Sequence, residues 1–453
     1  MRTPDTGQLD LFEPAHFASR SGAVAPLIAA QPYGQLRLDD VICAIDGSTP
    51  RTVPTPGIRT STTATRTTGT RTTRTEPGPS AAETGAGFSF GALVAAWLDC
   101  RSTKRTTPSA LAFEARSEAE LLDLYEALTS GTYTPGRSTC FVIRHPKPRE
   151  VWAADFRDRV VHHLLYNHIG SAIERTFIAD SCACIPGRGT LYGARRLEQK
   201  ARAITANWTR PAHYLKCDLA NFFVSIDKRI LDKLLAARIV DPWWLQLART
   251  ILWHDPRTDA QVNATNRELR LIAAHKSLFN QPEHCGLPIG NLSSQFYANV
   301  YLDVLDQFIK HRLRVRHYVR YVDDFILLHE SPQQLNTWLT DITAFLPREL
   351  AVHINPAKTI LQPVARGIDF VGQVVKPWRR VTRRRTLNAA LDRLERMPTE
   401  DLYEAGNSYL GLLRQASHSH HDRCRVANTL RRRGLAVDHR LTKAYPSTKE
   451  NAA

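Results

Sequence analysis

The sequence predicts an α+β fold, and three observations carry that reading. The run HYLKCD, residues 213–218, reads as a strand that ends on a carboxylate. Residues 318–328, YVRYVDDFILL, read as a hairpin whose two apolar arms flank an Asp pair at the turn. Helical stretches over 229–238, 243–253 and 293–312 fill the interval between them. Strand, helices, then hairpin is the order of a split βαβ layer.

Taken in chain order, residues 1–87 form a head and linker. Its second half, 49–87, is dominated by Thr, Arg, Pro and Gly with almost no large apolar side chains. Such a composition cannot bury enough surface to offset chain entropy, so it predicts a disordered segment. Order is expected from Phe88. A capping box, Ser117-Glu118-Ala119-Glu120, opens a helix that carries Leu121, Leu122, Leu124, Tyr125 and Leu128, and Gly131 closes it. A second amphipathic helix spans 158–173, with Val160, Val161, Leu164 and Leu165 on one face. From Leu387 onward the pattern is helical again.

Composition narrows the function classes. The chain has 453 residues, 43% of them hydrophobic, enough for a large core. No run approaches 18 apolar residues, so a membrane-spanning protein is not expected. The opening MRTPDTGQLDLFEP lacks the charged and apolar regions of a secretory leader, and a cytoplasmic protein is expected. Eight cysteines without a CxxC pair argue against a disulfide scaffold and a structural zinc site. Lys and Arg number 60 against 44 acids, a net charge of +16. From Gln373 to the C-terminus there are 17 basic and 8 acidic residues, a net +9 that points to a local polyanion-binding surface.

Asp218, Asp323 and Asp324 stand in apolar, β-rich surroundings where carboxylates need compensation. Neighbouring acids repel unless a cation intervenes, and hard oxygen donors suit Mg²⁺. Two Mg²⁺ ions roughly 3.5–4 Å apart would clamp the attacking and leaving oxygens of an in-line phosphoryl displacement.

Tyr321-Val-Asp-Asp324 resembles the YxDD box of reverse transcriptases, and Asp218-Leu-Ala-Asn-Phe-Phe223 resembles their first catalytic motif. The resemblance implies a right-hand polymerase with fingers, a split βαβ palm and a short helical thumb. It places N-terminal helices and fingers at 88–212, palm with finger insertions at 213–372 and a basic helical thumb at 373–453. Asp218, Asp323 and Asp324 become the ligands of two Mg²⁺ ions, and Phe223 the ring that excludes a ribose 2′-hydroxyl. Gly286-Leu-Pro-Ile-Gly290-Asn-Leu-Ser-Ser-Gln295 resembles the segment beneath the templating base, where glycine would let the backbone approach the nascent pair. Lys147 and Arg149, ranked above Arg144, and Arg188 in a fingers-like Pro-Gly-Arg-Gly-Thr are implied triphosphate contacts. Asn355-Pro-Ala-Lys358 resembles the segment whose lysine serves the leaving pyrophosphate as a general acid. Gly367-Ile-Asp-Phe370-Val-Gly372 resembles the hairpin that grips the primer end.

The form Ile289-Gly290-Asn-Leu-Ser-Ser294-Gln295 resembles the prokaryotic enzymes of diversity-generating retroelements, within the group II intron and retron-like superfamily. That resemblance implies template RNA, a cDNA primer strand, dNTPs and a small basic accessory protein as partners. Anti-phage defence enzymes share much of this palm and stand as the alternative biology, with a non-catalytic RNA-binding scaffold behind them. Gln8-Leu9-Asp-Leu11-Phe12 resembles the short peptide by which bacterial proteins bind the replicative sliding clamp, three apolar side chains on a polar tether.

Overall fold

The computed structural model describes residues 87–102, 107–144 and 147–446, and the expectations placed on the head and on Gln8–Phe12 lie outside them. Helices α1 (Phe90–Arg101), α2 (Pro108–Glu114) and α3 (Ser117–Thr129) come first. Strands β1 (Ser138–Ile143) and β2 (Arg149–Ala153) follow, then helices α4 (Phe156–Glu174) and α5 (Thr190–Ile204). Strand β3 (His213–Asp218) leads through α6 (Phe222–Ser225), α7 (Lys228–Ala236), α8 (Pro242–Trp253), β4 (Ala260–Val262) and α9 (Asn266–Leu269) into α10 (Leu292–Gln307). A π-helical turn, Phe308–Arg312, connects α10 to β5 (His317–Tyr321) and β6 (Asp324–His329). Helix α11 (Pro332–Leu350) and β7 (Ile360–Pro363) complete this layer.

These four strands lie in the order β5-β6-β3-β7, every neighbour antiparallel. In chain order that is second, third, first, fourth, the β-α-β-β-α-β arrangement of a split βαβ layer. It brings the first strand beside the hairpin, which is what joins Asp218 to Asp323 and Asp324. A fingers sheet, β2-β1-β4, packs against the loop that precedes α10 through Trp152 N, which donates to Ile289 O at 2.6 Å.

After β7, the strands β8 (Ile368–Phe370), β9 (Gln373–Lys376) and β10 (Arg379–Thr382) form a third sheet. Helices α12 (Arg384–Arg396), α13 (Thr399–Leu413) and α14 (His420–Arg432) then close around a core of their own, which includes Leu387, Leu394, Leu402, Tyr409 and Leu430. The hairpin β11 (Leu435–Val437) and β12 (Ala444–Pro446) ends the described chain, a strand pair that the helical pattern of the tail did not announce.

Local chemistry sets most helix starts. Asp155 caps α4 by accepting from Arg157 N, and Asp241 caps α8 ahead of Pro242 at its first turn. The capping box expected at Ser117 does not form. Arg116 is the N-cap, Ser117 is already helical, and the Glu120 carboxylate accepts from the Arg116 guanidinium at 2.6 Å, not from a backbone N–H of the cap. Helix α2 ends only two residues earlier, so the chain enters α3 through a tight turn that leaves Ser117 no extended cap conformation.

Under the palm lies a fully buried ion pair. Arg320 Nε and Nη2 donate to the two oxygens of Asp306 at 2.8 and 2.6 Å, Nη1 to Asn299 Oδ1 at 3.3 Å and Val322 O at 3.1 Å, and Nη2 to Ser181 Oγ at 2.9 Å. Tyr318 Oη adds a bond to Asp306 at 2.7 Å. All five guanidinium donors are used, the condition under which burying such a charge is tolerable. Arg320→Met should therefore cost about 3–5 kcal/mol in denaturant unfolding, because it leaves Asp306 uncompensated. A destabilisation below about 0.5 kcal/mol, the size of an ordinary surface substitution, would show that the pair is not structural.

Candidate active site

The strand registers build the site. Asp218 pairs with Asp324 across β3 and β6, and Tyr321 pairs with Asp324 across β5 and β6, so Val322 and Asp323 form a two-residue turn. Such turns need positive φ at the first position, normally supplied by Gly or Asn. Here Val322 holds φ 52, a strained conformation for a β-branched residue. The turn is pinned by Arg320 on Val322 O and by Leu219 N, which donates to Asp323 O at 3.2 Å.

Asp218 is buried and receives Lys358 Nζ at 2.6 Å. Lys216 Nζ lies 3.4 Å from Asp324 Oδ2 and donates to Asp369 O at 3.1 Å. Burial, then the charges of Asp218 and Asp324, push the Asp323 carboxyl well above the usual carboxylate range, while Arg149 opposes the shift. The three acids therefore share one electrostatic site, and Arg149 reaches it from the start of β2. Lys147 is held below the ordinary lysine value by desolvation, then by the nearby charges of Lys358 and Arg149, with Arg385 adding to them. Arg144 is engaged elsewhere, 2.9 Å from Glu268.

Among the described residues no three His, Cys, Asp or Glu side chains are arranged to hold a single ion. The donor chemistry still fits a divalent cation: hard carboxylate oxygens, crowded enough to raise one another's proton affinity. Phe223 is buried in the α6 turn just after Asp218, entered through Asn221 at φ 49. Its carbonyl accepts from Leu287 N at 2.8 Å, which ties the first acidic strand to the Gly286–Gln295 segment.

Residues 146–375, half of the chain, match the family described as reverse transcriptase (RNA-dependent DNA polymerase). The chain belongs to that family. Among solved structures, it is similar to telomerase from Candida albicans in complex with a TWJ fragment of telomeric RNA, at TM-score 0.39 and 13% identity over 61% of this chain and 53% of that one. It is also similar to apo telomerase from Candida tropicalis truncated from the C-terminal domain, at TM-score 0.40 and 11% identity over 58% of this chain and 59% of that one. The chain thus spans little more than half the length of either. No curated protein matches it. No helix among the described residues is long and apolar enough to cross a membrane.

Within this family member, several motif residues are engaged inside the fold. Gly290, at φ 130, faces the fingers: a Cβ there would stand 2.8 Å from Trp152 O and 2.9 Å from Val151 Cγ1. Within the protein, the close approach it permits is to β2. Gln295 is buried in the first turn of α10, its Nε2 without a hydrogen-bond partner among the described residues. Arg188 Nη1 donates to Ile178 O at 2.8 Å and Ser181 O at 2.7 Å, so it braces its own loop. Phe370 is fully buried, edge-on to Tyr321 at 6.4 Å, and supports the YVDD strand from beneath. Gly372, at φ 79 with open space where its Cβ would be, serves the turn between β8 and β9.

Arg320 and Lys216 are the site-supporting residues that the motifs do not reveal. Each is a cation inside a largely apolar strand, and that signal stands in the sequence.

The thumb arginines divide in two. Arg433 donates to Leu394 O, Glu395 O and Met397 O, Arg432 pairs with Glu395, Arg383 pairs with Asp369, and Arg380 is buried against Glu198 and Gln373. Arg384 and Arg385 are exposed and make no ion pair among the described residues. Replacing Arg384 and Arg385 with Ala should weaken template–primer binding and flatten its log K against log[salt] slope by roughly 1 to 2, about 0.9 for each phosphate no longer neutralised. Replacing residues 431–433 should lower thumb stability and leave that slope in place. A slope that responds only to 431–433 would reverse this division.

Proposed function

We propose that the chain is an RNA-directed DNA polymerase that copies template RNA into cDNA, of the diversity-generating retroelement type. The observation that carries the activity is the shared site of Asp218, Asp323 and Asp324, approached by Lys147 and Arg149 from the fingers and by Lys358 from the palm. The subtype rests on the Ile289-Gly290-Asn-Leu-Ser-Ser-Gln295 segment alone.

Asp218 and Asp323 would hold two Mg²⁺ ions, with Asp324 as support held by Lys216. Bound, the ions supply Lewis acidity to the attacking 3′-oxygen and the phosphoryl oxygens. The chain's own groups do the rest. Lys147 and Arg149 offset the triphosphate charge and set its distance from the acids. Lys358 gives a proton to the departing pyrophosphate oxygen. Phe223 excludes the 2′-hydroxyl by bulk, and its hydrogen bond to Leu287 keeps the sugar pocket in step with the template-base segment. Partners on this reading are template RNA, the cDNA primer strand, dNTPs and a small basic accessory protein. The sliding clamp would dock on Gln8, Leu9, Leu11 and Phe12.

Asp323→Asn with Asp324→Asn should abolish Mg²⁺-dependent dNTP incorporation on a primed RNA template and leave template binding in place; incorporation retained by that variant overturns the activity. Phe223→Ala should admit ribonucleotides in the same extension assay. Unchanged sugar discrimination would remove Phe223 from the pocket.

A further inference from the structure

We propose that the loop between α10 and β5 is a second RNA-binding surface, gripping the phosphate backbone of folded RNA outside the primer–template cleft. The choice of RNA as the polyanion rests on the polymerase reading above; the cation cluster stands without it.

The loop is built rigidly. Helix α10 ends in the π-helical turn Phe308–Arg312, a rare geometry that recurs at functional sites, and Arg314 holds φ 54. Lys310 Nζ folds back to Val315 O at 3.2 Å and Arg316 O at 3.4 Å, and Phe308 stacks on Phe345 with ring centroids 3.8 Å apart. Between Phe308 and Val322 the sequence has Lys310, Arg312, Arg314, Arg316 and Arg320 and no acid. Arg320 is spent in the core. Arg312, Arg314 and Arg316 are exposed, and their guanidinium groups have no hydrogen bond or ion pair among the described residues.

The same charge continues onto α5. One carboxylate, Asp180, serves Arg196 at 2.5 Å, Lys200 at 2.8 Å and Lys310 at 3.8 Å. Three cations on one acid leave an uncompensated excess, and the neighbouring imidazole registers it. His317 is lowered to about 4 by burial, then by Lys200, Arg316 and Lys310. Free of ligand, the protein bears that repulsion; a bound polyanion relieves it.

Position separates this surface from the chemistry. Strand β5 runs from His317 toward the turn that carries Asp323. At about 3.3 Å per residue, the loop lies roughly 15–20 Å from the acids, at the opposite end of the sheet. Guanidinium groups at alternate positions of an exposed loop do not converge on one small anion. They match a repeating array of phosphates, which such groups bind in bidentate fashion.

The test compares the full-length protein with Arg312→Gln/Arg314→Gln/Arg316→Gln, using a labelled RNA hairpin without primer across a KCl series. The slope of log K against log[salt] should become shallower by roughly 2 to 3, about 0.7–0.9 for each phosphate no longer neutralised. dNTP incorporation on a short template–primer should stay unchanged, and the triple Arg→Lys variant should keep most of the slope. Unchanged affinity and slope in the Gln variant overturn the surface, as does displacement of the RNA by an equal charge of polyglutamate. If the wild-type chain fails to extend any primer, the polymerase reading fails, while a changed slope would still report the polyanion surface.

Discussion

The buried pair of Arg320 and Asp306 is the interaction on which the active end depends. Its five donors reach α10 through Asp306 and Asn299, the segment before α5 through Ser181, and the strained turn through Val322 O. Val322 at φ 52 would relax if the hairpin were free, because a β-branched side chain gains nothing from that conformation. Desolvating a guanidinium costs several kcal/mol, and only a nearly complete set of acceptors offsets it. Any movement of the turn breaks that set, so a cost borne deep in the core holds Asp323 where it meets Asp218.

A second balance operates at the surface of the same site. Three acids meet because sheet register forces them together, against their mutual repulsion. Lys358 and Lys216, from two different elements, each take one carboxylate, and Arg149 leans on the third. The acids and these cations together keep a highly charged region near neutrality until anionic substrates and divalent cations enter. The thumb shows the opposite arrangement. Several of its arginines are committed to carbonyls and acids inside the fold, so its net charge overstates the number of cations open to a duplex.

Much of the layout was legible because it is local. The strand 213–218, the hairpin at Asp323 and Asp324, and the helices near 158–173 and 243–253 follow from side-chain period and from turn chemistry, which act over a few residues. The capping box at Ser117 failed for a reason that is also local but invisible to the motif: the preceding helix ends too close for the cap to extend. The short strands β11 and β12 escaped notice because three-residue ladders carry almost no periodic signal.

What the sequence determined by itself was the kind of chemistry, since acids in apolar strands, in family order, permit few other uses. Only the tertiary structure decided which residue serves which neighbour. Gly290 makes room for Trp152 and Val151, Phe370 props Tyr321, and Arg188 braces its own loop. Arg320 holds the Val322–Asp323 turn from within the core, while Arg312, Arg314 and Arg316 at the far end of β5 face solvent. The reason is physical: residue type and spacing set what a side chain can do, but whether a charge is spent inside the fold or left for a ligand depends on groups far away in sequence.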